Sequence, residues 1–414
     1  MQRKAKEMKT LVKVLLILAA VAGIVGACST AGRPDKAPAN QALDSLFTGI
    51  FATTGHAPGA VVTVMSGDTV LYTGAFGNAD LQRNTPLTDS TVLNAASASK
   101  TFIVAALLKL QEQGLLDLDE PIQNYLPQYS TAPFKTITAR HIVMHTTGLP
   151  DLRPRTAEEW ADYTKTHPSH FGYGKDYMLY GREEEQVKVF QTADTLKYTP
   201  GTHFEYQNAP FLILSQLVER VSGRKFEDWM QSEIFEPAGL TETHYYKPES
   251  PSPRLAHGYI ALQGEAPKGV FVSADGKWQE YDYGEAPFFL SRADNGIFTT
   301  PREYIKWLRA FYNGKIISKA SAKKTYTDLV ATNIPDIDYG YGTYVRNIPT
   351  KPYKVFHSTS NGGFSVFEAI FPRQNVYYTI FANRTGWDRF GTTEKVDSIL
   401  RRHGWLQPRF PDEE

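Results

Sequence analysis

The sequence predicts an α+β protein: an antiparallel sheet assembled from both ends of the chain, helices on its faces, and a mainly helical domain inserted between. Two β-rich runs, residues 60–65 and 70–76, flank the turn signal Ser66-Gly67-Asp68-Thr69 near the N-terminus. Three more, residues 354–357, 364–371 and 376–382, return near the C-terminus, the last two joined by Pro372-Arg373-Gln374-Asn375. Between the two groups, residues 101–236 space their apolar side chains at a mostly helical period. The sheet part therefore spans about 41–85 and 295–410, and the helical insert about 86–294. A cleft between the two is the natural place for a site.

In chain order, Arg3, Lys4, Lys6, Lys9 and Lys13 precede an apolar run at 14–25 that ends on Gly26, Ala27 and Cys28. The pattern is a targeting segment, and it resembles a bacterial lipoprotein signal. The resemblance implies that 1–27 is removed and Cys28 lipidated. The mature chain would then sit in the bacterial cell envelope, at the periplasmic face or the outer membrane, held to the membrane by lipid. A plain signal peptide and an uncleaved anchor are the alternatives. Cys28 is the single cysteine, so no disulfide forms within the chain. No second apolar run reaches membrane-spanning length. Residues 28–40, with Gly32, Pro34 and Pro38, read as a flexible tether.

The folded domain then runs from 41 to 410 and opens on a helix carrying Leu43, Leu46, Phe47 and Ile50. In the insert, Gly114 ends the first helix, 139–144 form another that Gly148 and Pro150 stop, and 211–221 and 226–234 are amphipathic. Residues 248–290 read as a long loop or small β excursion, 304–311 as a helix and 393–400 as the closing helix. Glu183-Glu184-Glu185 reads as a solvated helix face. The chain carries 44 basic and 44 acidic residues, a balance that excludes a general nucleic-acid binder, which needs a net basic face.

The chemistry is placed in residues 91–110, where a polar stretch gives way to a strongly apolar helical run. Ser97 and Lys100 stand three apart there, so both side chains lie on one helix face, a turn apart. Free N–H groups and the dipole at a helix start favour an alkoxide on Ser97 and an oxyanion on its acyl group. Lys100 is the base or electrostatic partner, its pKa expected below the ordinary value through half-burial. The other reading is a helix cap beside a surface lysine. Ser222/Lys225 and Ser321/Lys324 repeat the spacing but lack a buried helix behind them.

Three stretches supply possible partners. Tyr206-Gln207-Asn208 is the one Tyr-x-Asn in the sequence: a tyrosine near a lysine can serve as general base, and Asn208 can bond the lysine or a substrate amide. Packing and helix capping are the plainer roles for the two. His357-Ser358-Thr359-Ser360 ends a strand before Asn361-Gly362-Gly363, where strand-edge N–H groups can complete an oxyanion hole and a ligand can approach the glycines. His141 and His145 are four apart, but no glutamate follows His141, so a structural turn is expected and not a metal.

Together these motifs resemble the β-lactamase-related serine hydrolases: class C β-lactamases, D-Ala-D-Ala carboxypeptidases, D-aminopeptidases and related esterases. The markers run in order from Ser97-Ala98-Ser99-Lys100 through His145-Thr146-Thr147-Gly148-Leu149-Pro150, Pro200-Gly201, Tyr206-Gln207-Asn208 and Phe235-Glu236-Pro237-Ala238-Gly239-Leu240 to Asp294-Asn295-Gly296 and His357-Ser358-Thr359. The resemblance implies the penicillin-binding-protein and β-lactamase-like fold, with no metal or organic cofactor. It implies Ser97 as acylated nucleophile, Lys100 and Tyr206 as the proton-transfer pair, and Asn208, His357, Thr359 and Ser360 as substrate-binding residues. The N–H groups of Ser97 and Ser360 would form the oxyanion hole.

His357 stands where the penicillin-recognising branch has a lysine, and Thr359 where it has a glycine. A histidine is a weaker carboxylate anchor than a lysine. A β-branched side chain beside the oxyanion strand narrows the cleft. Arg384 is either a substitute cation or a surface arginine, and residues 160–180 are candidates to roof the cleft. The expected substrate is a small amide or ester, such as a cell-wall peptide or a D-amino-acid amide. A true β-lactamase and a non-catalytic envelope-binding lipoprotein are the rivals.

Overall fold

The computed structural model describes residues 36–52, 55–150, 183–245, 252–266, 270–282, 291–347 and 352–407. The signal segment, Cys28 and the stretch 160–180 lie outside the described residues.

One eight-stranded antiparallel sheet organises the molecule. Its strands are β1 (Ala60–Ser66), β2 (Thr69–Phe76), β3 (Val330–Ala331), β4 (Ile337–Tyr339), β5 (Tyr344–Asn347), β6 (Pro352–Asn361), β7 (Phe364–Phe371) and β8 (Val376–Ala382). Their order across the sheet is β3-β4-β5-β6-β7-β8-β1-β2, so β1 lies between the last strand and its own hairpin partner. Strands from both ends of the chain meet in the middle, as the sequence predicts. β3, β4 and β5 are additions to that expectation: at two, three and four residues they are too short to show a period.

The sheet is buried on both faces, and β7 and β8 are accordingly buried at every position and rich in apolar side chains. On one face Val61, Val355, Val366, Ile370 and Phe381 pack in a core shared with helices α2 (Lys100–Glu112), α3 (Leu212–Ser222) and α4 (Pro301–Tyr312). On the other, Val62, Val64, Phe367, Tyr378 and Ile380 meet α1 (Lys36–Phe51) and α5 (Arg389–Arg402). Helix α1 starts before the expected boundary and takes in the end of the expected tether. Pro38 falls in its first turn, where no N–H is needed, and Ala39 is buried. Helix α5 likewise begins early, because the Asp388 carboxylate accepts from Gly391 N at 2.9 Å and caps it.

The excursion after residue 248 contains a short hairpin, Gly258–Ala261 with Trp278–Asp282. It is pinned to the β6–β7 turn glycine to glycine. A Cβ on Gly363 would stand 2.1 Å from the Gly258 carbonyl carbon. The glycines expected to admit a ligand are, at Gly363, admitting another backbone.

Candidate active site

Ser97 lies in a 3₁₀ turn, Ala96–Ser99, that leads directly into α2. Residues three apart eclipse in such a turn, which aligns Ser97 with Lys100 more closely than an α-helix would. The turn is held hard. Ala96 adopts φ +48°, a left-handed conformation costly for a residue with a Cβ. Its N–H donates to Asn94 Oδ1 at 2.9 Å, and Asn94 Nδ2 donates to the Asn295 carbonyl at 2.8 Å. From below, Tyr304 on α4 reaches the Ala98 carbonyl at 3.1 Å, Trp307 Nε1 donates to Thr101 Oγ1 at 2.9 Å, and the Trp307 ring stacks on Phe102 at 4.0 Å. α4 owes its position to its start: Thr300 accepts from Glu303 N at 3.2 Å, and the Glu303 carboxylate accepts from Thr241 N at 2.7 Å.

Lys100 is 0% exposed. Its ammonium has three protons and three acceptors: Asp294 Oδ1, Asn208 Oδ1 at 3.1 Å, and the Tyr206 hydroxyl. The expectation of a depressed pKa is overturned. Burial alone would lower it, but the Asp294 carboxylate, and after it Tyr206, reverse the direction and raise it. Lys100 is a resident cation. Asp294 was visible in the sequence only as part of a marker. The signal that could have singled it out is that a buried lysine requires a buried counter-ion.

Tyr206 is braced by rings. His145 lies against it with centroids 4.1 Å apart, and Tyr344 runs parallel to it at 6.3 Å. His145 Nδ1 accepts from Gln207 N at 3.1 Å, so the proton sits on Nε2, 3.2 Å from the Tyr339 hydroxyl. The stretch after His145 docks on the Tyr206 loop through Gly201 N to Thr146 O at 2.9 Å and Lys197 N to Gly148 O at 2.8 Å. The expected structural turn is therefore the cradle of Tyr206. His141 caps its own helix, its Nδ1 3.2 Å from Thr138 N. Among the described residues no group of three His, Cys, Asp or Glu side chains is placed to hold a metal.

From the far side, β6 brings His357, Thr359 and Ser360. His357 is 1% exposed, and neither ring nitrogen has a hydrogen-bond partner among the described residues. Burial, and then the charge of Lys100, pushes it down to about 3, so it is neutral at pH 7. Thr359 Oγ1 accepts from Ser97 N at 3.0 Å. Arg384 is neither substitute cation nor surface residue. It is buried, its guanidinium lies 4.8 Å from the Phe51 ring and 5.0 Å from Trp278, and it donates to the Ile50 carbonyl at 2.9 Å. Arg389 does reach β6, donating to the Thr359 carbonyl at 3.3 Å.

Beneath the Ser97 turn a polar row crosses the sheet in register: His357 opposite Glu368, Glu368 opposite Thr379, Thr379 opposite Thr63. Tyr304 touches both the Ala98 carbonyl and Glu368 Oε2. The phenol O–H donates toward both. Burial raises Glu368 from an ordinary 4.5 to about 8, against the lowering effect of the bond from Tyr304, so the acid holds its proton at neutral pH. Between those values the folded chain keeps a proton that the unfolded chain releases, so stability is full below the window and falls as pH rises through it. His357, ordinarily 6.5 and here about 3, acts in the opposite sense: its contribution is full above 6.5 and lost as pH falls toward 3. Glu368→Gln is therefore expected to match the wild type in acid and to exceed its stability by roughly 2–3 kcal/mol at neutral pH. Denaturant melts across the pH range check this. A constant difference at all pH values would contradict it.

An antiparallel sheet with the Ser97 turn on one face, helices on both and an inserted helical part is the penicillin-binding-protein and β-lactamase fold, and solved structures of that class superpose on it. A sequence profile of the beta-lactamase family matches residues 41–400. The chain belongs to that family. Penicillin-binding protein 4* of Bacillus subtilis (strain 168) is 26% identical over 320 residues, 76% of this chain and 66% of that protein. The chain thus spans less than two thirds of the length of the curated relatives it matches. The D-amino acid amidase of Ochrobactrum anthropi SV3, solved with L-phenylalanine amide, superposes with a TM-score of 0.66 at 20% identity, covering 89% of this chain and 98% of the amidase. EstCE1, described as a hydrolase with promiscuous acyltransferase activity, gives a TM-score of 0.67 at 20% identity over 87% of this chain and 99% of its own.

Proposed function

We propose that the chain is an acyl-enzyme serine hydrolase acting on small amides or esters, with Ser97 as nucleophile. The observation that carries the reading is the Lys100 cluster. Residues far apart in sequence, Lys100, Asn208 and Tyr206, converge one turn from Ser97, with Asp294 fixing the charge. Because Lys100 already spends its three protons as a donor, proton acceptance falls to Tyr206, acting as phenolate beside the ammonium. Ser97 Oγ bonds to the substrate carbonyl carbon, its proton passes to Tyr206, and the carbonyl electron pair moves onto oxygen. Collapse of that oxyanion breaks the bond to the amine or alcohol, which leaves with the proton from Tyr206. Water then gives a proton to Tyr206 and attacks the acyl carbon, and the Ser97 ester breaks as Ser97 recovers its proton.

A neutral, buried His357 offers no fixed charge for a substrate carboxylate, which favours amides and esters over penicillins. The D-amino acid amidase neighbour agrees with that class, and EstCE1 is described as a hydrolase with acyltransferase activity. Arg389 beside Thr359 favours a second reading, a carboxylate-bearing substrate such as a β-lactam or peptide end. Turnover of nitrocefin against D-amino-acid amides separates the two. Envelope location with a lipid on Cys28 rests on the residues at the N-terminus. The test of the main reading is labelling with a small fluorophosphonate and peptide mass spectrometry. The adduct is expected on Ser97 and absent from Ser97→Ala. Equal labelling of that variant removes Ser97 from the nucleophile's role.

A further inference from the structure

The N–H of Ser97 is a donor that an acyl oxygen would need, and here it is already occupied. Thr359 Oγ1 accepts from it at 3.0 Å. Both residues are 7% exposed, so the bond lies just under the surface from which a substrate would arrive. We propose that Thr359 is a specificity-determining plug: its hydroxyl takes the place of the substrate's carbonyl oxygen on the Ser97 N–H, and only an acyl group that displaces it is attacked. This rests on the reading of Ser97 as nucleophile.

Neither end of the bond gives way by backbone movement. Ser97 follows the left-handed Ala96, whose N–H is tied to Asn94, and Asn94 is tied in turn to Asn295. Thr359 is held in strand register opposite Val366, and its carbonyl accepts from Arg389 at 3.3 Å. What remains free is rotation about the Thr359 side-chain bond. For a β-branched residue in a strand that rotation is restricted. Substrate oxygen and threonine hydroxyl therefore compete for one fixed donor. A ground-state ester or amide carbonyl gains little by the exchange, since it trades one neutral hydrogen bond for another. A developing oxyanion gains much more, because charge-assisted bonds are the stronger kind. The plug thus penalises loosely held carbonyls and spares those already driven toward the tetrahedral state.

The same position with no side chain would leave the donor open. Removing the hydroxyl is expected to speed acylation by the worth of one net hydrogen bond, roughly three- to tenfold. The measurement is the second-order rate of labelling by the small fluorophosphonate on the full chain, for the wild type and for Thr359→Gly, Thr359→Ala, Thr359→Ser and Ser97→Ala. Expected are faster labelling in the Gly and Ala variants, a Ser variant within about twofold of the wild type because the hydroxyl stays, and no labelling without Ser97. Thermal melts accompany each variant; if Thr359→Gly unfolds, Thr359→Ala, which keeps a Cβ, carries the comparison.

Wild-type labelling on Ser97 with no gain in either the Gly or the Ala variant overturns the plug and leaves the nucleophile standing. Absence of label on the wild type and on the unplugged variants alike overturns both. A crystal structure of the wild-type adduct gives an independent answer. The phosphonyl oxygen should sit on Ser97 N with the Thr359 hydroxyl rotated away. If Thr359 Oγ1 still accepts from Ser97 N in the adduct, the proposal fails.

Discussion

Lys100→Met is expected to lower kcat/KM by about 10²–10⁴-fold, the range seen when a positioned proton-transfer partner is removed. Methionine matches the length of the lysine stem and fills the same apolar surround, so packing is largely retained. What goes is the ammonium between Asp294, Asn208 and Tyr206. Without it, the proton-accepting oxygen of Tyr206 loses the cation beside it, while the Asp294 carboxylate is left facing the site. The check is kcat and KM for a small ester substrate, with thermal melts of the same variant. A loss in kcat by the folded variant is expected. An unchanged kcat in the folded variant would instead assign Lys100 a purely structural role.

Removing the other partner, Asp294→Ala, should cost stability before it costs chemistry. Lys100 is fully buried, and its charge is tolerable because the carboxylate is there. Breaking a buried pair by deleting one member leaves an uncompensated charge and costs about 3–5 kcal/mol. The remaining lysine escapes part of that cost by giving up its proton, since burial is the one influence on it that favours the neutral form. Equilibrium unfolding in denaturant measures the loss. Asp294→Asn keeps an acceptor for one ammonium proton and should fall between the two. A double variant, Asp294→Ala with Lys100→Met, should recover part of the stability, because the orphaned charge is gone. If the double variant is as unstable as the sum of the singles, the pair is not coupled.

The parts of this site that could be read in advance were those carried by local order. Ser97 and Lys100 announce themselves by spacing ahead of an apolar helix, and Tyr206 and Asn208 by their own pair. Strands β7 and β8 are legible because they are long, buried on both faces and dominated by apolar and aromatic residues. What could not be read was which distant groups meet. Nothing local to Asp294 says that Lys100 will lie against it, so the direction of the lysine's pKa was anticipated wrongly. Arg384 follows the last strand, and its sequence neighbours give no hint of Phe51 and Trp278 closing around it. Thr359 is visible as a departure from glycine, but the bond its hydroxyl accepts from Ser97 N depends on how β6 passes the Ser97 turn. Short strands such as β3 escaped for a simpler reason: two residues carry no period.

The placement of β1 between β8 and β2 bears on how such a chain reaches its native state. The β1–β2 hairpin is made before the rest of the sheet, yet the neighbour it needs on its inner edge is Val376–Ala382, which emerges from the ribosome after every other strand of that sheet. Until then a seven-residue apolar strand presents open backbone groups, a template for pairing with another copy. Pairings so distant along the chain also close slowly. Nascent or truncated products that stop short of β8 should therefore be the species that aggregate or need a holdase.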